Sequence, residues 1–130
     1  MFPPNTVSDS YVLVIEDDPA LRAFYRSLLT GAGFPVVAVE DGLQALRKLE
    51  TSIPSAVILD LELPRVGGRD VYHELRAHPD TAQLPIIVVT GDDVSDLDPK
   101  QFACILKKPI NADELVEAVR KCLRKAADSH

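Results

Sequence analysis

"YVLVIEDDPALR", residues 11–22, joins a run of five largely apolar residues (Tyr11 to Ile15) to three adjacent carboxylates, Glu16, Asp17 and Asp18, followed by Pro19. Two like charges about 4 Å apart repel by roughly 1 kcal/mol in bulk water and by several more near a protein surface. A strand leaving the core accounts for one of the three acids. Asp18 suits the N-cap of a helix whose first residue is Pro19, since a short acceptor side chain and a pre-set φ both favour a helix start. Glu16 and Asp17 are left over. They call for something that gains from concentrated negative charge.

The same strand-to-helix transition recurs along the chain. Apolar runs of strand length stand at 11–15, "PVVAV" 35–39, "AVILD" 56–60, "PIIVV" 85–89 and "FACIL" 102–106. They are rich in Val and Ile and do not alternate with polar residues, as strands buried on both faces of a parallel sheet do. Between them lie segments of helical period. Leu21, Phe24, Tyr25, Leu28 and Leu29 mark the first face, with Gly31 or Gly33 as its stop. Leu43, Leu46 and Leu49 mark the second, and Val71, Tyr72 and Leu75, after Gly67-Gly68, the third. In the last, Leu115, Ala118, Val119, Cys122 and Leu123 point inward, with Asn111 and Glu114 spaced as a capping box. Strand and helix in alternation predict an α/β domain with helices on both faces of a parallel sheet.

At 130 residues the chain is long enough for one self-sufficient core. With 46% hydrophobic and 26% charged residues it has the composition of an ordinary globular domain. A net charge of −6 disfavours direct partnership with nucleic acid or an anionic membrane. Two cysteines, Cys104 and Cys122, make neither a disulfide framework nor a zinc site. No secretory signal or membrane span is evident, so a cytoplasmic location is expected. Residues 1–10 read as a flexible arm, 11–125 as the domain and 126–130 as a fraying tail.

Ligands of such folds sit outside the carboxyl ends of the strands. Those ends carry Glu16-Asp17-Asp18, then Asp60, Thr90 and Lys107-Lys108-Pro109. Glu40-Asp41, after the second strand, suits the cap of the next helix. Clustered carboxylates offer the hard oxygen donors of a Mg²⁺ site, with Mn²⁺ as the alternative ion. An amine and a hydroxyl opposite them suit a phosphoryl group. His73, His78 and His130 lack a ligand pattern, and Tyr25, Tyr72 and Cys122 read as packing groups.

In these residues, "VLVIEDDPALR", "AVILDLELPRVGG", "PIIVVTGDD" and "ILKKPI", the chain resembles the receiver domain of two-component response regulators over roughly residues 10–125. The resemblance implies a flavodoxin-like (βα)5 three-layer sandwich with strand order 2-1-3-4-5. It implies that Asp60 accepts a phosphoryl group from a histidine kinase or histidine phosphotransfer protein. Glu16, Asp17, Asp60 and the backbone carbonyl of Glu62 would hold the metal ion, while Lys108 and Thr90 would engage the phosphoryl group. The chain would then be a phosphoacceptor that acts on a downstream protein target, not an enzyme in the usual sense. It could stand alone or be a module of a larger regulator or hybrid kinase. A pseudo-receiver that only binds a partner would lack one of these residues, and none is missing.

Two departures from the family pattern carry expectations. Ile105 stands where an aromatic commonly sits, which argues against a ring-flip relay there. "GDDVSDLDPKQ", residues 91–101, has four Asp and one Pro and no apolar stripe, so the fourth helix should be short or irregular. Glu62 and Asp92, each two residues past Asp60 and Thr90, should modulate access of water to the site. A flavin-binding module would need a phosphate loop where "EDDPA" stands. A metal-dependent phosphohydrolase would normally place a second Asp at position 62.

Overall fold

Strand β1 (Val12–Ile15) is fully buried and pairs in parallel with β2 (Val36–Val39) on one side and β3 (Ala56–Leu59) on the other. β4 (Ile86–Thr90) and β5 (Cys104–Lys107) extend the sheet, giving the order β2-β1-β3-β4-β5. This is the expected flavodoxin-like topology. The computed structural model describes residues 10–63, 66–91 and 95–128. Four α-helices accompany the strands there: α1 (Pro19–Gly31), α2 (Gly42–Thr51), α3 (Gly68–Ala77) and α4 (Ala112–Asp128).

Successive strand residues point to opposite faces, so each strand feeds two cores. Leu13, Ile15, Val57, Leu59, Ile86 and Val88 pack with Ala45 of α2 and with Val71 and Leu75 of α3. Val12, Val14, Ile58, Ile87 and Val89 pack with Tyr25 and Leu29 of α1 and with Leu115 and Val119 of α4. Each fully buried Leu, Ile or Val side chain contributes about 1.5–3 kcal/mol relative to exposure. The two cores therefore hold the strand ends rigidly against each other.

The helix starts follow local chemistry. Asp18 Oδ1 accepts from the amides of Ala20 and Leu21, and Asp41 Oδ1 accepts from that of Gln44. Asn111 Oδ1 accepts from the amide of Asp113 at 2.7 Å. α1 stops at a turn in which Gly33 adopts φ +97°, a conformation that L side chains rarely take.

Two helix-face expectations need correction. Phe24 is 45% exposed and Leu43 is 40% exposed, so neither belongs to the inward face of its helix. Tyr25 takes the inward position on α1, and Ala45 takes it on α2. Between β4 and β5 the described residues form only a 3₁₀ turn, Pro99–Gln101, the short element expected of this Asp-rich segment. Arg69 holds Asp96 through two hydrogen bonds, and Tyr72 donates to Gln101 Oε1. Arg76 donates to the carbonyls of Ala82, Leu84 and Gln101. The outer face of α3 thus clasps the crossover segment. α4 runs to Asp128, into the stretch read as a tail, while residues 1–9 of the expected arm lie outside the described residues.

Candidate functional site

The site is a consequence of strand register. Ile15 lies beside Leu59 in the β1–β3 ladder, so the next residues, Glu16 and Asp60, leave the sheet side by side. Thr90 lies beside Lys107 in the β4–β5 ladder, and the amide of Lys108 donates to the Thr90 carbonyl at 3.0 Å. A cis peptide joins Lys108 to Pro109.

Lys108 bridges the two acids. Its Nζ donates to Asp60 Oδ2 at 3.0 Å and lies 3.0 Å from Glu16 Oε1. Glu16 and Asp60 are each 1% exposed, so both carboxylates are almost fully withdrawn from water. Burial pushes the Glu16 carboxyl up to about 7; the Lys108 ammonium opposes this rise, and the neighbouring Asp60 adds to it. Burial alone would lower the Lys108 ammonium. Its bonds to Asp60 and Glu16 outweigh that and hold it well above the ordinary lysine value.

Asp17 is exposed at the rim, yet oxygens of Glu16, Asp17 and Asp60 all lie within 4.8 Å of one another. Glu16 Oε1 is buried with only the Lys108 ammonium, 3.0 Å away, beside it. Three hard oxygen donors gathered this closely, two of them on buried carboxylates, fit Mg²⁺ or Mn²⁺. The remaining oxygens are committed: Asp60 Oδ1 accepts from the Glu62 amide at 2.9 Å, and Glu16 Oε2 from the Asp18 amide at 3.2 Å.

Of the residues singled out in the sequence, Glu16, Asp17, Asp60 and Lys108 converge directly. Thr90 is fully buried at the end of β4 and donates to Glu62 Oε1 at 3.3 Å. Ile105 is half-buried against the α2–α3 core, and Asp92 lies outside the described residues. Glu62 is exposed, and its carboxylate is engaged with Thr90 and with the Gly91 amide.

Three supporting residues were not apparent from the sequence. Arg22 Nη1 donates to the backbone carbonyls of Glu16 (3.0 Å) and Asp17 (3.2 Å), fixing the acidic turn from α1. Gly68 lies so close to the end of β3 that a Cβ there would meet the Asp60 carbonyl at 2.4 Å. Its place after "VGG" is the one signal that could have found it. Tyr25 lies under the site with its hydroxyl buried and unpartnered; burial first, then the Glu16 charge, pushes it up to about 12.

Comparison with known proteins agrees with this geometry. The family model of the response regulator receiver domain matches residues 12–120. The chain is 36% identical over 121 residues to the response regulator MprA of a Mycobacterium species (strain KMS), covering 89% of this chain and 51% of that protein. It therefore spans about half the length of the curated relatives it matches. Among solved structures it resembles the response regulator TrrA of Thermotoga maritima in complex with Mg²⁺ and BeF. The TM-score is 0.78 and the identity 32%, with 88% of this chain and 99% of that one covered. It also resembles the receiver domain of the sensor histidine kinase PA1611 of Pseudomonas aeruginosa, with magnesium coordinated in its active-site cleft. Here the TM-score is 0.78 and the identity 26%, with coverage of 88% and 97%.

Proposed function

The chain belongs to the response regulator receiver domain family, and on that premise we propose that it accepts a phosphoryl group on Asp60 from a phosphohistidine in a Mg²⁺-dependent reaction. The observation that carries this proposal is the buried Asp60 carboxylate, bridged by Lys108 to Glu16 and grouped with Asp17. An Asp60 oxygen attacks phosphorus, an O–P bond forms, and the P–N bond to the donor imidazole breaks. The imidazole leaves with the electron pair and takes up a proton. Lys108 donates to Asp60 Oδ2 and orients the carboxylate, and its ammonium is within reach of the phosphoryl oxygens that arrive. Glu16, Asp17 and Asp60, with the Glu62 backbone carbonyl, would hold the divalent cation. When bound, that cation supplies positive charge against the phosphoryl oxygens.

The chain is a phosphoacceptor whose product is its own modified state. The acyl phosphate adds charge and acceptor oxygens at the strand ends, which a conformational change passes to a downstream protein. The donor is a histidine kinase or histidine phosphotransfer protein, and the setting is the cytoplasm. Among the described residues no helix is long and apolar enough to cross a membrane. Incubation with a small-molecule phosphodonor and Mg²⁺ should add one phosphate by intact mass, and Asp60→Asn should abolish it. Equal labelling of that variant would refute the assignment.

A further inference from the structure

The geometry points to the Glu62 side chain as a placeholder for the phosphoryl group, holding the donors that the modified site needs until it is displaced. This inference rests on the proposed role of Asp60 as phosphoacceptor. Glu62 Oε1 accepts from the Thr90 hydroxyl at 3.3 Å and from the Gly91 amide at 3.0 Å. One carboxylate oxygen thus collects the side chain and main chain of two successive residues at the end of β4. The fit is close, since a Cβ on Gly91 would stand 3.2 Å from that same oxygen. Meanwhile the Glu62 amide donates to Asp60 Oδ1 at 2.9 Å, so the residue is anchored to the acceptor by its main chain.

A carboxylate and a phosphoryl group present the same feature to a donor: an anionic oxygen. On the proposed chemistry the Thr90 hydroxyl turns to the new phosphoryl oxygens, and it must leave Glu62 to do so. The Glu62 carboxylate is exposed and can swing into water when displaced. The exchange would free the Gly91 amide at the same moment. Phosphorylation would thereby be transmitted to the start of the segment after β4. Glu62 is on this account a positioning residue that competes with the signal.

The test uses beryllofluoride with Mg²⁺ as a phosphoryl mimic on the wild type, Glu62→Ala, Glu62→Gln and Asp60→Asn, with amide exchange at Gly91 read in parallel. Glu62→Ala removes the acceptor and should bind the mimic about tenfold more tightly, equivalent to about 1.4 kcal/mol. Its Gly91 amide should exchange faster than in the wild type before any mimic is added. Glu62→Gln loses the charge but keeps an amide oxygen, so it should fall between wild type and Glu62→Ala in both measurements. If Glu62→Ala and wild type bind the mimic equally, the placeholder is wrong while the phosphoacceptor stands. If Gln and Ala variants bind equally more tightly and the gain fades with salt, simple repulsion is at work and the placeholder is again wrong. If neither the wild type nor any Glu62 variant binds it, or if Asp60→Asn binds it as well as the wild type, the phosphoacceptor reading itself falls.

Discussion

Replacing Glu16 by Gln should change how folding stability depends on pH, and the size of the effect follows from the burial of one carboxylate. Glu16 is 1% exposed and its carboxyl is pushed up from 4.5 to about 7, burial being the largest cause. Its folded value lies above its unfolded one, so between these limits the folded state holds a proton that the unfolded chain has released. Stability from this group is then greatest below pH 4.5 and declines as the pH rises to about 7. A shift of this size corresponds to about 3 kcal/mol across the window, at 1.36 kcal/mol per pH unit. Lys108 titrates far above this range and contributes no slope here. Urea unfolding at pH 5.0 and 7.5 in metal-free buffer gives the two stabilities, and Gln, which cannot titrate, supplies the baseline. Relative to Glu16→Gln, the wild type should lose most of that 3 kcal/mol between the two pH values. Millimolar Mg²⁺ should restore much of it at pH 7.5, since the ion binds the ionised form and stabilises by mass action. Parallel pH profiles for the two proteins would refute the reasoning, because the buried carboxylate would then be ionised throughout.

Gly68→Ala should lower stability by about 1–3 kcal/mol in chemical denaturation, the usual range for forced overpacking. Its methyl group would meet the Asp60 carbonyl at 2.4 Å and the Leu61 Cα at 2.5 Å, so the end of β3 has to shift; an unchanged midpoint would contradict this contact. Tyr25→Phe should be neutral or stabilising by about 1 kcal/mol in thermal melts, because the hydroxyl it deletes is buried without a partner. A clear loss of stability in Tyr25→Phe would mean that the hydroxyl has a partner after all.

The sequence made the strand ends legible because each strand carries its chemistry on the residue that leaves the sheet. Once β1 and β3 pair in parallel, Glu16 and Asp60 are neighbours by register alone. The caps at Asp18 and Asp41 were legible for a similar reason, since their effect is local. Helix faces were less so. A count of large apolar residues turned Leu43 inward, yet it is the small residues that α2 buries, Gly42 against Val66 and Val71 and Ala45 in the core. Phe24 and Tyr25 are successive on α1, about 100° apart around the axis, and only Tyr25 reaches the core. The clasp by Arg69, Tyr72 and Arg76, and the grip of Arg22 on the Glu16 and Asp17 carbonyls, are contacts to distant atoms, many of them main-chain carbonyls. Such contacts leave no spacing pattern to read.

The most direct test of the central claim is to find which residue carries the phosphate. Borohydride reduces an aspartyl phosphate to homoserine, and peptide mass spectrometry then reads the position. After treatment with a phosphodonor and Mg²⁺, the chain should yield homoserine at position 60 and at no other aspartate, with the yield lost when the metal is chelated. Homoserine at Asp17 or Asp18, or a phosphate that survives reduction as an ester on Thr90, would contradict the assignment of Asp60 as the acceptor.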